Sequence, residues 1–152
     1  MLYKIKKFTK LSFEEKKLFV EAYVTLGVIR TAILTISFKR LTRSLEHLKN
    51  RSEVMPLNDK EMKTALSVGQ AIIRASAHTP WESACLAQSL TAQKMLQKRG
   101  IPGVFYLGAA KDEESKEKMK AHAWSQCGET IITGGGGHEE FTVLSVFGWG
   151  KE

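Results

Sequence analysis

Cys85 and His122 are the two side chains whose types and surroundings fit nucleophilic chemistry. The run Pro80-Trp81-Glu82-Ser83-Ala84-Cys85-Leu86-Ala87-Gln88-Ser89-Leu90 opens with proline and offers Ser83 as an N-cap. It continues in strong helix formers to Lys98-Arg99-Gly100, which predicts a helix starting just ahead of the cysteine. A thiolate in a first helical turn is favoured by unsatisfied backbone N–H groups and by the helix dipole. His122 lies in Lys120-Ala121-His122-Ala123-Trp124-Ser125-Gln126, a strand pattern followed by a Gly128-Glu129 turn. A rigid strand holds an imidazole well, so His122 is the candidate base that activates Cys85. The competing reading is a small buried cysteine beside an unrelated histidine, since free cysteine is commonly buried.

The wording around both residues is more specific than either alone. Trp81 to Pro102 reads W-x-S-x-C-L-x-x-S-L-x-x-Q-x-x-L-x-x-R-G-I-P. Val104-Phe105-Tyr106-Leu107-Gly108 and then Ala121-His122-Ala123-Trp124 follow it. In combination these resemble the B-protein of lasso-peptide biosynthesis, over roughly residues 80–149. The resemblance implies a transglutaminase-like, papain-related cysteine peptidase that removes the leader from a ribosomally made precursor peptide. It implies no cofactor for this chain; ATP belongs to a companion cyclase that folds the freed peptide. It also implies a separate small leader-binding protein, because residues 1–79 leave no room for a winged-helix leader-binding domain. One departure is plain: the family often has arginine after C-L-x, and here Gln88 stands there.

Enzymes of the resembled type place an aspartate or asparagine on the strand after the histidine to orient its ring. Here that region reads Ile131-Ile132-Thr133-Gly134-Gly135, with no carboxylate. A two-residue turn at Gly128-Glu129 would set Cys127 opposite Thr130, Gln126 opposite Ile131 and Trp124 opposite Thr133. The site is then a Cys–His dyad, or Thr133, Glu139 or Glu140 supplies the orienting group, with Glu129 too far out on the turn. Gln88, Trp81 and Trp124 are candidates to line the site, and an aromatic in such a setting is as often core. Cys127 falls on the opposite strand parity from His122 and reads as structural. His47, His78 and His138 read as surface residues, and no histidine or acid cluster has metal-ligand spacing.

These residues need helices first and a small antiparallel sheet after them, an α+β arrangement, and the resemblance implies a transglutaminase/papain-like core within it. Residues 1–79 form the helical region and 80–152 the catalytic core of a single domain. Residues 2–8 alternate apolar and basic residues as an edge strand or an arm. Ser12 and Glu15 form a capping box for a helix reaching about residue 37. Its apolar length approaches a membrane span, but Glu21 and Arg30 interrupt it, so a central buried helix or one packed on a partner is the better reading. A basic helix is expected over 38–49, with Leu41, Leu45 and Leu48 on one face. Another, capped at Asn58 or Asp59, runs to about residue 77 with Met62, Leu66, Gly69, Ile72 and Ile73 at helical spacing. Strands are expected over 101–110, 120–127, 130–134 and 141–147, with residues 111–118 a charged loop. Gly134 to Gly137 form a flexible loop that lacks the G-K-[ST] of a phosphate-binding loop.

Charge and cysteine content narrow the setting. Residues 1–51 hold twelve Lys/Arg against four Asp/Glu, a net of +8 in a chain of net +7. That half is the candidate contact for an acidic or apolar partner. No zinc-finger, RNP-type or recognition-helix signature accompanies it, so among a peptide, a partner protein, a lipid surface and nucleic acid the last is the weakest candidate, and no nucleic-acid partner is expected. Two cysteines make no disulfide framework and no secretory signal opens the chain, which together point to a cytoplasmic protein. Two further functions use the same residues: acyl transfer to an amine, and non-catalytic peptide binding.

Overall fold

The computed structural model describes residues 10–41, 46–48, 56–80, 84–112, 115–136 and 138–149. The strand expected over residues 2–8, and Trp81, Ser83, Arg43 and Leu45, lie outside the described residues. Helix α1 spans Phe13–Thr35 and begins where expected: the Ser12 hydroxyl accepts from the Glu15 backbone N–H at 3.2 Å. Ala22, Leu26 and Ile29 form its buried stripe. The opposite face is open, with Val24 58% and Val28 61% exposed, so α1 is not the central buried helix that its apolar composition predicts. By length and composition it could cross a membrane. Its acid Glu21 is occupied within the protein: the Arg99 guanidinium donates to both carboxylate oxygens and Lys98 lies 3.7 Å away.

The expected basic helix over 38–49 stops after one turn, α2 (Phe38–Leu41). Residues Glu46–Leu48 instead form strand β1 and pair antiparallel with residues 146–148 of the last strand. The inter-strand ladder satisfies backbone groups that local helix propensity would have paired within the segment.

Helix α3 (Asp59–Ser76) is capped by a complete box, Asn58 with Glu61. Its buried face is narrower and smaller than the spacing of its large residues predicts. Ala65, Val68, Gly69, Ala71, Ile72 and Ala75 face inward while Leu66 and Ile73 are exposed. Small residues let the helix approach the sheet closely. A Cβ on Gly69 would lie 2.8 Å from both the Cγ2 and the backbone oxygen of Ile132. Helix α4 spans Cys85–Lys98 and ends in a Schellman turn. Gly100 takes φ +70°, its N–H bonds Gln97 O, and the Ile101 N–H bonds Leu96 O.

The sheet comprises β2 (Gly103–Asp112), β3 (Ser115–Cys127), β4 (Thr130–Thr133) and β5 (Thr142–Trp149) with β1. Its order is β1-β5-β2-β3-β4, antiparallel throughout, and the short 3₁₀ helix His138–Glu140 joins β4 to β5. Helices before a small antiparallel sheet are the expected α+β architecture. The charged loop expected over 111–118 is instead largely the continuation of β2 and β3 as a long hairpin.

Alternation along the strands separates two cores. Phe105, Cys127, Ile132, Phe147 and Trp149 meet Leu26, Ile72, Leu90, Met95 and Leu96 of the helices. On the other face Val104, Tyr106, Trp124 and Val146 pack with Ile131, Phe141 and Val143. Each fully buried large side chain contributes about 1.5–3 kcal/mol of transfer free energy. The helices therefore hold one face, and the aromatic cluster with the segment after β4 closes the other.

Candidate active site

Cys85 is the first residue of α4, and Ala84 before it makes no side-chain capping bond. The N-cap expected at Ser83 is thus displaced to Ala84. The first intrahelical bond runs from Gln88 N–H to Ala84 O at 3.0 Å, so the helix itself gives no partner to the N–H groups of Cys85, Leu86 and Ala87. The thiol is free and partly buried at that end. Cys127 is free too, but fully buried, and desolvation pushes its thiol up to about 12. It stays protonated at neutral pH and fills space in the helix-side core, as its strand parity predicts.

His122 sits on β3 opposite Gly108 of β2, on the face that carries Tyr106 and Trp124. Trp124 lies on one side with ring centroids 5.7 Å apart, and Phe141 at 5.0 Å. Its Nε2 is 2.7 Å from the backbone oxygen of Gly134. A carbonyl only accepts, so Nε2 bears the hydrogen and the neutral ring has its lone pair on Nδ1. Gly134 takes φ +75°, and a Cβ there would lie 2.4 Å from the Ala123 oxygen. Only glycine allows the chain leaving β4 to pass so close to β3.

The structure does not join Cys85 to His122 by a hydrogen bond, although both are described. Helix α4 packs on the Phe105 and Cys127 face, whereas His122 belongs to the Trp124 face. Strand β4 stops at Thr133, opposite Ser125, and β3 continues back to His122 without a β4 partner.

The other candidates are placed elsewhere. Thr133 was expected opposite Trp124 on the His122 face. A bulge between Ser125 and Gln126 shifts the register, so Thr133 pairs with Ser125 and turns to the helix side. There its hydroxyl lies 2.6 Å from the Ser125 hydroxyl and 3.4 Å from that of Ser89 on α4. Glu140 pairs with Lys120 at 3.6 Å, and Lys120 also lies over the Phe141 ring. Glu139 is exposed and neither glutamate bonds His122. Gln88 donates to the Ser76 hydroxyl at 3.3 Å, which ties α4 to the end of α3 rather than facing the histidine. Trp124 is buried between Tyr106 and His122, a core residue that the imidazole stacks on. Trp81 lies outside the described residues. His138, read from sequence as a surface residue, is half-buried, with Nδ1 2.7 Å from Gly135 O and its ring 5.5 Å from Trp124. Among the described residues no three metal-capable side chains come together.

The Gly134 carbonyl and the Ser89–Thr133–Ser125 hydroxyl chain were not read from sequence. A backbone acceptor has no residue-type signal, and the only hint was a glycine run where a carboxylate was expected.

A family model described as the transglutaminase-like superfamily matches residues 29–146. No curated protein and no solved structure matches the chain. The matched segment covers well over half of the sequence, from inside α1 to within β5, and takes in both the helix headed by Cys85 and the strand bearing His122. The chain therefore belongs to the transglutaminase-like superfamily, whose members are typically cysteine peptidases or acyltransferases.

Proposed function

We propose that this protein is a cytoplasmic cysteine peptidase that removes the leader from a lasso-peptide precursor. The observation that carries the thiol chemistry is the partly buried Cys85 at the head of α4, where backbone N–H groups have no partner within the helix. The choice of substrate rests on the resemblance of residues 80–149 to lasso-peptide B-proteins. In this reading His122 takes the Cys85 proton through Nδ1, and the sulfur attacks the carbonyl at the leader–core junction. The Cys85 backbone N–H is one donor to the oxyanion. The C–N bond breaks as the imidazolium returns its proton to the leaving amine, and water hydrolyses the thioester.

A small leader-binding protein brings the precursor, and the ATP-dependent cyclase receives the product. The exposed apolar face of α1, flanked by the exposed Lys39 and Arg40, is the docking surface in this reading. Mass spectrometry of precursor incubated with this chain and the leader-binding protein tests the proposal. Cleavage is expected for the wild type, none for Cys85→Ala, and a loss of roughly 10²–10⁴-fold for His122→Ala. An intact, cross-linked or deamidated precursor would instead identify acyl transfer. The missing Cys85–His122 hydrogen bond favours a second reading, a non-catalytic peptide-binding module. Full cleavage by Cys85→Ala would reject Cys85 as nucleophile.

A further inference from the structure

We propose that the backbone carbonyl of Gly134 is the group that orients His122, in the place where a side-chain carboxylate would otherwise stand. This deepens the peptidase reading and rests on it for its catalytic meaning. Three contacts fix the imidazole: Trp124 at 5.7 Å, Phe141 at 5.0 Å, and Gly134 O at 2.7 Å from Nε2. The stacked Trp124 ring and the tilted Phe141 ring beside it set its plane. The carbonyl sets its tautomer, because an acceptor at Nε2 holds the hydrogen there and leaves Nδ1 to accept a proton.

The remaining candidates are engaged or turned away. Thr133 bonds Ser125 on the opposite face, Glu140 pairs with Lys120, and Glu139 makes no bond to the ring. The residue type at 134 follows from the same geometry. Its positive φ and the 2.4 Å approach of a Cβ to Ala123 O allow only glycine to bring that carbonyl to the ring. The next two glycines differ. A Cβ on Gly135 would meet only the Ile131 side chain, and one on Gly136 would meet nothing within 4 Å. Among the described glycines of the run, Gly134 is the one under a strict requirement.

Ring nitrogens of ¹⁵N-histidine-labelled full-length protein report the tautomer directly. Spectra taken about two pH units above the ordinary histidine value of ~6.5 observe the neutral rings. His122, assigned through His122→Gln, is expected as the Nε2–H form. His138 and His78, whose Nδ1 atoms face the carbonyls of Gly135 and Arg74, are expected as the Nδ1–H form in the same spectrum. An Nδ1–H or averaged His122 overturns the proposal. The tautomer is read equally well in Cys85→Ala, so it does not depend on peptidase activity; loss of Cys85-dependent cleavage alone sinks the peptidase reading. In the activity assay Gly134→Ala is expected to average the tautomer and lower kcat roughly 10²-fold with little change in KM. Gly136→Ala, Glu139→Gln and Glu140→Gln are expected to keep wild-type rates. A loss at either glutamate as deep as that of His122→Ala would make the carboxylate the orienting group and overturn the proposal, whether or not Gly134→Ala folds.

Discussion

Two thiols of the same chemistry are given opposite fates by their surroundings. Cys85 is partly buried at a helix end, while Cys127 is buried among apolar side chains that hold its thiol at about 12. A thiol-directed electrophile at neutral pH is therefore expected to modify Cys85 and leave Cys127 intact until the protein unfolds. Peptide mapping after brief labelling checks this, and equal modification of both in the native protein would contradict the burial difference. Cys127→Ala should retain most cleavage activity. It should also cost stability, about 1 kcal/mol or somewhat more, for a small cavity in the helix-side core.

Packing between elements depends on a few close contacts. Gly69 lets α3 rest on β4, and an added Cβ would press on Ile132 at both its side chain and its backbone. The backbone cannot yield as a side chain can, so Gly69→Ala should destabilise by about 1–3 kcal/mol despite the better helix propensity of alanine. Thermal denaturation measures this, and an unchanged Tm would show that α3 has room to shift. Glu21 ties α1 to the end of α4. The hydrogen bond from Arg99, helped by the Arg99 and Lys98 charges, lowers its pKa below the usual carboxylate range against the opposing effect of burial. A depressed carboxylate contributes stability above its unfolded value of ~4.3 that is lost as pH falls through the folded value. Glu21→Gln should cost about 1–2 kcal/mol at pH ~7, allowing for partial exposure, and the gap from wild type should narrow in acid. Denaturant midpoints at neutral and acidic pH decide it; a gap independent of pH would mean that the side chain acts through packing alone.

At the scale of the whole molecule, much of α1 stays exposed and apolar. The outward side of α1 carries an apolar groove of about 510 Å³ lined by residues including Val24, Val28, Ala32 and Ile36. The Thr31 and Thr35 hydroxyls on this helix bond back to the Gly27 and Thr31 carbonyls, which leaves few polar groups reaching outward. An exposed apolar stripe of this kind is a candidate interaction surface. If it receives the leader-binding protein, Val24→Asp with Val28→Asp should leave the fold and the partner-free cleavage rate unchanged. The same pair should abolish the acceleration that the partner gives through local substrate concentration. Retained acceleration would move the docking surface elsewhere.

Local signals located most elements. Ser12 with Glu15, Asn58 with Glu61, and Gly100 mark helix ends where they occur, because capping satisfies backbone groups within a few residues. The Gly128 turn and the alternation around Trp124 placed the β3–β4 hairpin for the same reason. The helix head at Cys85 and the strand at His122 were legible too. What sequence misread depends on partners distant in the chain. Residues 46–48 became strand because β5 offered a ladder, and Leu66 and Ile73 turned outward because Gly69 and the alanines fit the sheet more closely. Thr133 left the His122 face because one bulge residue reverses side-chain parity beyond it. The group at the imidazole could only come from the tertiary structure, since it is a main-chain carbonyl set by one glycine's positive φ against a neighbouring strand.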